Sequence, residues 1–226
     1  MTLGLAFASD DRTWAVVAAD DAAWRATFVN GEPRPVRASG VEDKLLPLGA
    51  YGWLVSSGTT FAGPIVAAEL RGCAGDPRRL AAGLAVAMPS VQRVLASCAP
   101  DARQYFHNPA HGMLLAIGRD PTMGRTWCVR LNWITGSVEL RPGVLMVEPP
   151  GVDHAATPAM LRALDRRVTR CSSAVDAAPH LADFHEELRA RWPDAAVGDR
   201  LWVAGVGPGG PQRLGDWSTH TTEVLK

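Results

Sequence analysis

The chain has 226 residues, enough to bury one sizeable core, and 47% of them are hydrophobic against 20% charged, an ordinary globular composition. Its 23 basic residues cancel its 23 acidic ones, which removes the electrostatic footprint of a nucleic-acid binder. No uninterrupted apolar run approaches the roughly 20 residues of a membrane helix, and the start of the chain lacks a signal peptide's basic region, so a cytoplasmic protein with no membrane partner is expected.

Two strand-like runs come first, residues 2–8 and 13–19, joined by the turn-prone Ser9-Asp10-Asp11-Arg12. Residues 21–42 are mixed and polar around Asn30-Gly31-Glu32-Pro33 and read as a loop with room for one short strand. A second hairpin follows, 44–48 and 53–57, turning at Gly49-Ala50-Tyr51-Gly52. The period then becomes helical over 60–73 and 78–97, divided by Gly75-Asp76-Pro77. Pro64 falls in the first turn of the first helix, where its missing N–H costs little, whereas Pro89 is set to kink or shorten the second.

Strands return at 113–118, 125–133 and 137–141, the last two joined through Ile134-Thr135-Gly136, with a further short strand at 144–147. Helices are expected over 158–170 and 179–191, each opening on a proline. A closing hairpin, 200–206 and 212–217, turns at Gly207-Pro208-Gly209-Gly210. Residues 1–217 thus read as a single domain and 218–226 as a polar tail. An antiparallel sheet must cover its apolar face. Strands, two helices, strands, two helices, strands therefore predict an α+β, four-layer αββα sandwich of two stacked antiparallel sheets flanked by helix pairs.

Chemistry points to the amino terminus. Thr2 is weakly nucleophilic until a base takes its proton, and a free α-amine on the same residue, with a pKa near ~8, can do so. A small residue at position 2 favours removal of Met1. An acid, Asp20, ends the second strand; Lys44 opens the next hairpin; Gly58 follows fourteen residues later, after Leu54-Val55-Ser56-Ser57.

In that order these residues resemble the proteasome β-subunit family, including the bacterial HslV-type peptidases, which are N-terminal-nucleophile (Ntn) hydrolases. The resemblance implies Thr2 as nucleophile, Asp20 as the acid holding the lysine, and Lys44 as the cation favouring threonine deprotonation. It implies Gly58 as an oxyanion donor and, in Arg191-Trp192-Pro193-Asp194-Ala195-Ala196-Val197-Gly198, Asp194 as the second aspartate near the threonine amine. By analogy Leu46, Ser56 and Thr60 line the pocket for the residue preceding the scissile bond. The family carries serines where this chain has Val197 and Glu148-Pro149-Pro150-Gly151.

The implied function is a threonine endopeptidase without metal or cofactor, acting on peptide or protein substrates as a homo-oligomeric ring fed by an ATP-dependent unfoldase. Two other readings share the residues: an inactive proteasome-like structural subunit, and an Ntn amidase or peptide ligase with a specific small substrate. Other features point to packing. The cysteines Cys73, Cys98, Cys128 and Cys171 lack paired spacing and read as reduced thiols. His107 and His111 read as loop residues, while His180, His185 and Glu186 read as exposed or structurally hydrogen-bonded on a helix.

Overall fold

The computed structural model describes residues 3–29, 32–41, 44–56, 61–98, 100, 103, 106, 108–140, 142–218 and 221–223. In chain order the elements are β1 (Gly4–Ala8), β2 (Ala15–Asp20), β3 (Ala22–Val29), β4 (Glu32–Val41), β5 (Leu45–Pro47), β6 (Gly52–Val55), α1 (Ala62–Leu70) and α2 (Leu80–Ser97). They continue as β7 (Met113–Asp120), β8 (Arg125–Asn132), β9 (Ser137–Leu140), β10 (Leu145–Val147), α3 (Thr157–Val168), α4 (Ala174–Arg191), β11 (Arg200–Gly207), β12 (Gly210–Ser218) and β13 (Thr221–Glu223). One antiparallel sheet runs β10-β1-β2-β11-β12-β13, a second β5-β6-β7-β8-β9, and β3-β4 form a separate two-stranded ribbon.

Alternation along each strand sorts side chains into layers. On the first sheet Leu3, Leu5, Phe7, Val16 and Ala18 point one way and pack with Leu164, Val168, Leu181, Phe184 and Leu188 of α3 and α4. The opposite parity, Ala6, Ala15, Val17, Ala19, Ala204 and Val206, packs with Leu45, Val55, Leu115, Ile117 and Cys128 of the second sheet. The second sheet's far face, with Leu54, Leu114, Ala116, Trp127 and Val129, packs with Val66, Leu70, Leu84 and Val91 of α1 and α2. The result is an α+β sandwich whose sheets are covered on both faces. Each large apolar side chain so buried contributes about 1.5–3 kcal/mol relative to exposure.

Helix boundaries follow local chemistry. α4 starts five residues before the expected 179, because the Ser173 side chain caps it, its hydroxyl accepting from the Asp176 amide at 3.2 Å. Pro179 lies inside the helix, and Pro89 likewise sits within an unbroken α2, its ring on the exposed side. By length and composition alone, Pro77–Ser97 is apolar enough to cross a membrane, which a search for uninterrupted runs overlooks. In this fold its inward stripe, Leu80, Leu84, Ala87 and Val91, belongs to the core.

Two expectations are corrected. Within the expected loop 21–42, residues 22–29 and 32–41 are strands: β3 and β4 pair antiparallel from Ala22↔Val41 to Val29↔Glu32, and the sequence between them, Asn30-Gly31, is one that favours tight hairpins. Residues 30 and 31 lie outside the described set. The polar tail is not wholly separate from the domain, since Asp216↔Glu223 and Ser218↔Thr221 add β13 to the first sheet's edge.

Close packing of β6 against β7 needs a glycine at position 52. A Cβ there would run into the Ile117 carbonyl and lie 2.7 Å from the Gly118 Cα. Gly52→Ala is expected to lower stability by about 1–3 kcal/mol, the range for overpacking, read from the urea midpoint at unchanged m-value.

Candidate functional site

Asp20 ends β2 with a fully buried side chain, and its amide donates to the Leu3 carbonyl at 3.2 Å, one residue before β1 begins. Its neighbour Asp21 continues the ladder: the Asp21 amide donates to the Arg200 carbonyl at 3.1 Å, and its Oδ1 accepts from the Arg200 amide at 3.2 Å. Lys44 immediately precedes β5 in the other sheet. Its carbonyl accepts from the Ser56 amide at 2.9 Å, which anchors the backbone beside β6.

From there the Lys44 Nζ reaches across to Asp20 Oδ1 at 3.1 Å, the two side chains being 5% and 0% exposed. Asp20 Oδ2 accepts from the Gly198 amide at 2.9 Å. A buried carboxylate is stable only when its lone pairs are met, and here a cation meets one oxygen and a backbone N–H the other.

His185 joins the same cluster from α4, almost wholly buried, with Nε2 3.0 Å from the Gly198 carbonyl. A carbonyl only accepts, so Nε2 carries the hydrogen. Its Nδ1 lies 3.4 Å from Glu186 Oε1. Burial pushes the imidazole below the ordinary histidine value; Asp20 and Glu186 pull it upward, and Arg189 adds to the lowering.

The other sequence candidates fall around this cluster. Leu46 packs partly buried against the α1–α2 core, and the Ser56 side chain is pressed under α1, where a Cβ on Gly63 would run into its hydroxyl. Asp194 is exposed, and no hydrogen bond or ion pair joins it to Asp20 or Lys44 among the described residues. Its loop is nevertheless tied to the site by Gly198 and to the Pro149-Pro150 turn by the Ala196 amide, which donates to the Pro150 carbonyl at 2.8 Å. Gly151, at φ +92°, lets that turn press on Ala195, where a Cβ would fall 2.9 Å from the Ala195 Cα. The same turn follows β10, whose Val147 pairs with Gly4 of β1, and beside it Glu148 pairs with His154.

The Val197 side chain lies in the core beneath α4. Thr2, Gly58 and Thr60 lie outside the described residues. The sequence reading assigned neither Gly198 nor His185 to the site, although the structural hydrogen bond it allowed for His185 is present. Gly198 acts through its backbone, which no side-chain pattern reveals. His185 was visible in the period: with Leu181 and Leu188 it forms an i, i+4, i+7 stripe, the spacing of a buried helix face.

No protein-family model matches the chain, and comparison with curated proteins gives no match.

Two outcomes follow from the cluster's energetics. Lys44→Met strands a buried carboxylate and is expected to cost about 3–5 kcal/mol. The double variant Asp20→Asn/Lys44→Met is expected to lose less, both read by urea denaturation. Because His185 titrates below its ordinary 6.5 in the folded chain, the unfolded chain takes up its proton first. This contribution is complete above 6.5 and is lost as pH falls toward the folded value. The melting temperature of wild type should therefore drop more steeply between neutral pH and pH 5 than that of His185→Gln.

Proposed function

We propose that the chain is a proteasome-type Ntn hydrolase, a threonine endopeptidase using Thr2 after removal of Met1. The observation that carries this reading is the buried Lys44–Asp20 side-chain pair, at a strand end where the Asp20 backbone amide donates to the Leu3 carbonyl. Leu3 is the residue to which Thr2 is covalently joined, with consecutive Cα atoms about 3.8 Å apart across a trans peptide. In the resembled family a lysine held by an aspartate favours deprotonation of the threonine, and Lys44 paired with Asp20 would take that part once the Thr2 amine is exposed.

In the proposed reaction the Thr2 amine, directly or through a water, takes the hydroxyl proton as Oγ attacks the peptide carbonyl. Lys44, held by Asp20, stabilises developing negative charge at Oγ. The Gly58 amide donates to the tetrahedral oxyanion, a contribution of roughly 3 kcal/mol for one such donor. Collapse breaks the C–N bond, the amine leaves with the proton, and water then hydrolyses the Thr2 ester. Asp194 would act near the amine from its surface loop. Leu46, Ser56 and Thr60 would border the specificity pocket, Ser56 through its position under α1. A homo-oligomeric ring served by an ATP-dependent unfoldase in the cytoplasm completes the proposal.

A second reading, an inactive structural subunit of the same kind, is favoured by Val197. Where the resembled family has a serine, this chain directs an apolar side chain into the helix-side core. An Ntn amidase or ligase would share the nucleophile and differ in substrate.

A threonine-directed epoxyketone is expected to label wild type on the Thr2 amine and hydroxyl and to leave Thr2→Ala unlabelled. Intact mass is expected to show Met1 absent. Lys44→Met should slow labelling by about 100-fold, the scale of losing one transition-state donor. Retained Met1, or labelling equal in the Thr2→Ala variant, would remove the peptidase reading and favour the structural subunit.

A further inference from the structure

His185 is a buried, titratable side chain that the proposed reaction does not use. Its ring holds the carbonyl of Gly198 at 3.0 Å, while the amide of the same residue holds Asp20 Oδ2 at 2.9 Å. Gly198 has no side chain to fix its orientation, so these two bonds, one on each side of its Cα, set the direction of its N–H. The other Asp20 oxygen holds Lys44 at 3.1 Å. A continuous path thus runs from α4 through one backbone residue to the carboxylate and the ammonium group.

We infer that His185 is a positioning residue for the Lys44–Asp20 pair, acting through Gly198 and making the pair's geometry depend on the ring's protonation state. The inference rests on the proposed function for its catalytic consequence, while the linkage itself is independent of catalysis.

The charged groups around the ring define the linkage. Asp20 faces it from β2, and Glu186 and Arg189 from α4 itself; Arg189 is held to Asp199 at 2.7 Å in the segment leading to β11. With Nε2–H committed to Gly198, a second proton must enter at Nδ1, toward Glu186. That adds a second positive charge within electrostatic range of Asp20, which then acts on both the ring and Lys44. Acid should therefore loosen the hold on Lys44 before the fold is lost.

The test is an NMR titration of the His185 ring in the full chain, alongside epoxyketone labelling rates from pH 5 to 8. Asp20→Asn removes a carboxylate that stabilises the protonated ring, so His185 should titrate at lower pH in that variant than in wild type. His185→Leu should slow labelling by about tenfold or more, the scale of losing an outer hydrogen bond that orients a functional group. His185→Gln, whose amide can still donate to Gly198, should restore most of the rate at neutral pH and flatten the acid limb of the profile. A His185 titration unmoved by Asp20→Asn overturns the inference, as does a folded His185→Leu chain that labels at the wild-type rate. Wild type that never labels, with the titration moved as expected, overturns the nucleophile reading and supports the linkage alone.

Discussion

Two opposite charges removed from water hold the two halves of this molecule in register. Lys44 enters from the second sheet and Asp20 from the first, and their side chains are nearly free of solvent. Desolvating such ions costs several kcal/mol each, so the pair persists only because attraction and further hydrogen bonds offset that cost. The Gly198 amide meets the second carboxylate oxygen, while main-chain bonds from Asp20 to Leu3 and from Ser56 to Lys44 hold the two residues in place. Misplacing the Gly198 segment leaves the carboxylate incompletely met, and misplacing either backbone anchor moves one charge away from the other. The pair is therefore a test of correct assembly more than a source of stability.

The packing that makes such a crossing possible is asymmetric. Between the sheets the central strands β1 and β2 present small residues, Ala6, Ala15, Val17 and Ala19, while toward the helices they present Leu5, Phe7 and Val16. Small side chains let the sheets approach, so a lysine at the mouth of one can reach a carboxylate at the end of the other. Burial on both faces also explains why β2, Ala-Val-Val-Ala-Ala-Asp, reads as an unbroken apolar run that ends on the one charged residue of the strand.

Much of this was legible in the sequence. The order of strands and helices, the hairpins at 8–15 and 47–52, and the placement of Asp20 and Lys44 follow from period and turn chemistry. Three features resisted for different physical reasons. The ribbon at 22–41 carries charged residues and two prolines within β4, which mask its alternation although Asn30-Gly31 marks the turn. The start of α4 depends on a serine cap that the attractive but misleading Pro179 concealed. Gly198 contributes only a peptide N–H, and hydrogen bonds of that kind arise from tertiary placement that no local pattern encodes.

The ribbon has one more implication. It starts directly after Asp21 and ends at Val41, three residues before Lys44, and Ala22 is laddered to Val41 at its base. Because the feet stand side by side, the distance between the two ionic partners is independent of how many residues the excursion contains. Rungs could be added or removed at the far end without moving the base. Length can thus change at the far end of the ribbon while the paired charges near its base stay put.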